Sequence, residues 1–197
     1  MIYNTIKKYS DIIIISMVIL LIYKITYFNI NTVKIKSNFD SREYNVQEYE
    51  NKTDAANLLA RLRKKLCNLC IQLREEYPNN TSVQRLKKFN PDKVYEGFPD
   101  PESKNTSYSI NKGEKLIFCL RSGEDENQLH DINLIMFVAL HELAHIMSVS
   151  TGHNKEFYDN FTFILNKASE MGYYNPINYK KKPTEYCGMT VNTTPVF

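Results

Sequence analysis

The first marked run of apolar positions, IIIISMVILLIYKITYF from Ile12 to Phe28, is continuous, with Lys24 as its only charge. Such a run predicts a membrane-spanning helix near the lower length limit for crossing a bilayer. Lys24 can extend its ammonium to the interface, and Tyr23, Tyr27 and Phe28 suit the headgroup boundary. Lys7 and Lys8 precede the run as they would in a signal peptide, but no small-x-small cleavage site follows, which favours a retained anchor over residues 1–30. Residues 31–52 are polar and aperiodic and read as a linker.

From Thr53 the pattern becomes helical. Ala55, Leu58, Leu59, Leu62, Leu66, Leu69, Cys70 and Leu73 follow three-four spacing behind a Thr53-Asp54 cap. A short helix is expected over Ser82 to Phe89, then a Pro-rich loop. Next, SYSINKGEKLIFCLR predicts a β-hairpin turning at Asn111, Lys112 and Gly113. From about Asp131, INLIMFVALHELAHIMS is nearly all apolar and too long for a strand, so it predicts a buried helix. Ser148, Ser150, Thr151 and Gly152 end it. Asn154 can cap a last helix with Phe157, Phe161, Ile164, Leu165 and Ala168 inward and Gly172 as its stop.

Composition changes this picture little. The 197 residues are 43% hydrophobic, enough for one core, so 53–197 is expected to form a single domain. A net charge of +3 does not mark a nucleic-acid binder, and no direct nucleic-acid partner is expected. The four cysteines are too few and scattered for a disulfide framework; reduced thiols are expected, which favours a cytosolic placement of the domain. Cys67 and Cys70 form a lone CxxC within a helix and read as core cysteine rather than a zinc or redox pair. Arg61, Arg63, Lys64 and Lys65 read as a solvated helix face rather than a phosphate patch.

The chemistry lies in HELAHIMSVSTGHN, residues 141–154, which holds three of the four histidines. Positions four apart on a helix point the same way, so His141 and His145 can share one metal ion while Glu142 reaches a water beside it. A catalytic zinc takes three protein ligands and keeps one position open. After the Ser/Thr/Gly break, His153 can turn back as the third ligand; a variant reading uses Glu156 or Glu170 instead. The fourth histidine, His130, reads as an ordinary surface residue.

HELAH followed by GHNKEF resembles the WLM-type zinc metallopeptidases. The run from SYSINKGEKLIFCLR through YCGM, roughly residues 105–190, is also similar to membrane-anchored metallopeptidases of large DNA viruses. Seven residues separate His145 from His153, two more than in cellular members. The resemblance implies an α+β, zincin-like fold in which the active-site helix packs on a small sheet or hairpin, behind the N-terminal transmembrane helix. It implies Zn2+ on His141, His145 and His153, Glu142 as general base, and a protein or peptide substrate. Cellular members are associated with cleaving proteins crosslinked to DNA, a substrate not carried over here because a membrane anchor fits poorly with chromatin. Lys115 to Arg121 is the expected edge strand for substrate backbone. Tyr173, Tyr174, Tyr186 and Arg121 are candidate oxyanion donors, and Met189 is a candidate to lie beneath the metal.

The leading expectation is therefore a single-pass, membrane-anchored zinc metalloendopeptidase. Its rivals are a membrane-tethered protein that keeps zinc only for structure or interaction, and a membrane scaffold without metal. A structural zinc site does not require Glu142.

Overall fold

The computed structural model describes residues 9, 12–20, 32–97 and 106–196. The chain divides into two units, Met1–Val33 and Lys34–Phe197. In the first, residues 12–20 are helical, with exposed isoleucine, valine and leucine side chains. Among the described residues no helix is long and apolar enough to cross a membrane, and residues 21–28 of the expected span lie outside them. The expected transmembrane helix is thereby overturned, and with it the single-pass membrane localisation and the membrane as a partner.

From Thr32 onward, residues expected to be a linker form strands. β1 (Thr32–Lys36) and β2 (Glu43–Gln47) make a two-stranded sheet. Tyr44 and Val46 of β2 are buried, so this segment contributes to the core. Helix α1 (Lys52–Glu76) follows. Its buried stripe, including Leu59, Leu62, Leu66, Leu69 and Leu73, packs on β2, on the strand Val94–Glu96 and on the helix Ile132–Met147. Cys70 is buried and unpaired, as a core cysteine should be. The basic face is occupied internally: Arg61 lies over the Phe39 ring, Arg63 bonds the Pro91 carbonyl, and Lys65 bonds the Tyr173 carbonyl.

A single-turn helix α2 (Thr81–Gln84), capped by Asn80, runs into a 3-10 turn at Arg85–Lys88. Then come β3 (Val94–Glu96), β4 (Tyr108–Ile110) and β5 (Lys115–Phe118). They form one sheet in the order β3-β5-β4, with β3 parallel and β4 antiparallel to β5. The expected hairpin is present, and its turn puts Asn111, Lys112 and Gly113 all at positive φ. The expectation of β5 as an edge strand is corrected: β5 is central, and among the described residues β4 is at the edge.

Helix α3 (Ile132–Met147) begins at Asp131, whose carboxylate accepts the Asn133 N–H, and it buries most of its side chains. Helix α4 (Lys155–Glu170) begins at Asn154, whose Oδ1 accepts the Phe157 N–H, and packs on α3. Gly172 has φ of 72° at its end, the left-handed conformation that glycine adopts without Cβ strain. A hairpin of β6 (Thr184–Tyr186) and β7 (Met189–Val191) closes the fold. It is joined to the end of β5 by a Cys119–Cys187 disulfide, so reduced thiols at these positions are corrected too.

Two buried charges lock the sheet to the N-terminal segment. The Arg121 Nε lies 2.7 Å from the Glu96 carboxylate, with side chains 2% and 0% exposed. The second Glu96 oxygen accepts the Gln47 N–H at 2.7 Å. Arg121 also bonds Asn51 and the Glu126 carbonyl and stacks over Tyr49, so most of its donors are satisfied.

Candidate metal centre

Because His141 and His145 are one helical turn apart on α3, their imidazoles leave the same face. Their Nε2 atoms lie 3.2 Å apart. The chain leaves α3 at Ser148, turns through residues 149–152 and enters α4 at Lys155, bringing back His153. Its Nε2 is 3.0 Å from that of His141 and 3.2 Å from that of His145. Nitrogens bound to one tetrahedral zinc at ~2.0–2.1 Å stand about 3.3 Å from each other, so the triad has the donor type and spacing for such an ion.

Phe157 supports all three rings. It is buried, and its centroid lies 4.8, 4.3 and 4.7 Å from those of His141, His145 and His153. Sequence reasoning saw Phe157 only as core; the signal for more was its place in GHNKEF, three residues after the Asn154 cap.

Glu142 is buried beside the triad. Burial pushes its carboxyl up to about 8, while the N–H of Ser109, donated from edge strand β4, works in the opposite direction. Burial lowers His141 to about 3 and His145 to about 4, with neighbouring imidazoles adding to the effect. Both are therefore neutral near pH 7, the form in which imidazole coordinates a metal.

The triad and Glu142 line a cleft of about 550 Å³. Residues 106–109 border it, and Tyr186 and residues 189–193 of the closing hairpin also line it. Tyr186 is the one candidate oxyanion donor in this lining. Its hydroxyl is buried, bonding the Cys119 carbonyl at 2.9 Å and the Ser107 hydroxyl at 2.6 Å. Tyr173 bonds Gln72 instead, Tyr174 belongs to the core around Phe137, and Arg121 serves Glu96. Met189 is 41% exposed on the lining, not buried beneath the triad.

The two alternative third ligands are engaged elsewhere. Glu156 accepts the N–H groups of Val149 and Ser150, and Glu170 pairs with Lys167. Nor is His130 a surface residue. Its side chain is 7% exposed, and its Nε2 accepts the Cys187 N–H.

Comparison with known proteins identifies the family. The family model for the WLM domain matches residues 38–195. An uncharacterized protein of Acanthamoeba polyphaga mimivirus is 36% identical over 166 residues, covering 80% of this chain and 81% of the relative. One from invertebrate iridescent virus 3 is 31% identical over 138 residues, covering 68% and 79%. The crystal structure of Wss1 from Saccharomyces cerevisiae matches with a TM-score of 0.48 at 25% identity, covering 64% of this chain and 88% of that one.

The chain belongs to the WLM family, whose function is of metallopeptidase type, and it has viral relatives.

Proposed function

We propose that this WLM-family chain is a zinc-dependent metalloendopeptidase in which His141, His145 and His153 hold the metal and Glu142 is the general acid-base. The observation that carries the reading is the convergence of three Nε2 atoms, 3.0–3.2 Å apart, beside one buried carboxyl in an open cleft. A zinc ion held there would act as a Lewis acid, polarising a carbonyl and lowering the pKa of a water toward ~7.

The remaining steps belong to the chain itself. Glu142 takes a proton from the attacking water and passes it to the departing amine, and both transfers require the carboxyl to stay at one point. The Ser109 N–H fixes it there. Because that N–H belongs to β4, the strand aligned with the cleft also holds the base. Among the described residues β4 lies at the sheet edge and borders the cleft, which makes extended, unfolded polypeptide the expected substrate class. With the transmembrane helix overturned, the reason for setting aside DNA-linked proteins falls away, and the substrate is argued from the cleft alone.

The test is metal content and cleavage of an unfolded protein, comparing the natural chain with Glu142→Gln. Near-stoichiometric zinc in both, with turnover lost by at least ~100-fold in the variant, is expected. Zinc in both with no cleavage by either across a broad peptide set establishes a structural metal. No zinc in either removes the site.

A further inference from the structure

We propose that Lys112 and Glu156 are positioning residues for the metal centre: they clamp the segment between α3 and α4 from opposite sides and thereby set where His153 stands. This rests on reading His153 as a ligand.

The helix carrying His141 and His145 is rigidly packed, and their geometry follows from its turn. His153 has no such support, because residues 148–152 are neither helix nor strand. Backbone groups in such a segment must find partners outside regular structure. Here they find charged ones. The Lys112 ammonium donates to three successive carbonyls, those of Ser148 at 2.9 Å, Val149 at 2.6 Å and Ser150 at 3.3 Å. The carbonyl just before them, that of Met147, accepts from Arg85 at 2.7 Å. From the other side, Glu156 accepts the N–H of Val149 at 2.8 Å, the N–H of Ser150 at 3.0 Å and the Ser150 hydroxyl.

Cation on carbonyls and anion on amides together specify the path of the segment. Each bond is charge-assisted, roughly twice as strong as a neutral one.

The anchoring points are themselves fixed. Lys112 sits in the β4-β5 turn with φ of 50°, between Asn111 at 48° and Gly113 at 108°. A side chain at Gly113 would meet Ile146 of α3 at 2.9 Å and the Lys88 carbonyl at 3.0 Å, so the turn lies against the helix end with no space to spare. Glu156 is in the first turn of α4. The turn that ends edge strand β4 is therefore tied directly to the segment that delivers the third imidazole.

The experiment is a metal titration of the full chain with cobalt and zinc, reading affinity, release to a chelator and the cobalt d–d spectrum. Lys112→Met is expected to weaken binding about tenfold and to alter the d–d bands, with Lys112→Arg restoring most of the affinity. Lys93→Met, which breaks an exposed ion pair to Glu114 on the same hairpin, controls for general loosening and is expected to bind as the natural chain does. A folded Lys112→Met with unchanged affinity and spectrum overturns the clamp. If Lys112→Met does not fold, Glu156→Gln decides: faster metal release supports the clamp and an unchanged rate overturns it. A natural chain that takes up no metal overturns the metallopeptidase reading and the clamp together, and the natural chain's own titration separates that case from failure of the clamp alone.

Discussion

Glu142 and its two histidine neighbours respond to burial in opposite senses, and this gives the metal-free chain a distinctive pH dependence. Imidazoles near 6.5 in the unfolded chain fall to about 3 and 4 on folding at His141 and His145. In that window the unfolded chain binds more protons, so stability falls as pH drops below 6.5. Glu142 moves from 4.5 to about 8, so between those values the folded chain binds the extra proton and stability falls as pH rises. Above 6.5 only the carboxyl contribution remains. Urea midpoints measured from pH 4 to 9 without metal should decline between pH 6.5 and 8, and Glu142→Gln should flatten that limb and steepen the rise between pH 4.5 and 6.5, where the carboxyl opposes the imidazoles. A variant that keeps the alkaline slope would assign it to another group. The identities of these residues were legible in the sequence because i, i+4 spacing is a local rule. The environments that shift them were not, since the Ser109 N–H comes from a strand whose edge position depends on the whole sheet.

At the level of elements, the periodic helices and the β4-β5 hairpin were read correctly, whereas the strands β1, β2 and β3 were not. The stripe from Ala55 to Leu73 and the cap at Asn154 carry their signals within a turn or two. Three-residue β3 shows no usable alternation, so nothing local indicates that it pairs with β5 and takes the edge position away from it. The Cys119–Cys187 link was hidden for a similar reason. Its partners are separated by 68 positions, and spacing alone cannot select one pairing among four cysteines. That separation gives the link its weight: closing a loop of this size stabilises by up to about 4 kcal/mol in the chain-entropy account. Cys187 also lies between the strands of the hairpin that lines the cleft, next to Tyr186. Cys187→Ser, or a reductant applied to the natural chain, should lower the melting temperature by several degrees and raise amide exchange in residues 184–191 before it affects α3. Exchange rising equally in both would mean that the hairpin does not move on its own.

For the whole molecule, the domain's starting point is the largest revision. Residues 31–52 read as a tether because their apolar positions are sparse, yet Tyr44 and Val46 alternate as inward positions of a strand do, and both are buried. The family match beginning at residue 38 agrees with a domain that includes them. What makes the segment indispensable is charge more than apolar area. Gln47 donates its backbone N–H to Glu96 and its side-chain amide to the Gly97 carbonyl, and Asn51 accepts from Arg121. Leaving a buried polar or charged group without its hydrogen-bond partner costs about 1–3 kcal/mol each, a large part of the stability of an ordinary domain. A chain begun at Thr53 would keep Glu96 and Arg121 but lose these partners together with the Tyr49 ring, and it would expose the α1 face that packs on β2. It should show no cooperative thermal transition, whereas the full chain melts in one step by near-ultraviolet circular dichroism. A double variant, Glu96→Leu with Arg121→Met, should melt cooperatively in the full chain, because replacing both charges by apolar groups leaves no uncompensated charge buried. If the shorter chain melts as the full one does, the N-terminal segment is a tether after all, and Glu96 and Arg121 satisfy each other without it.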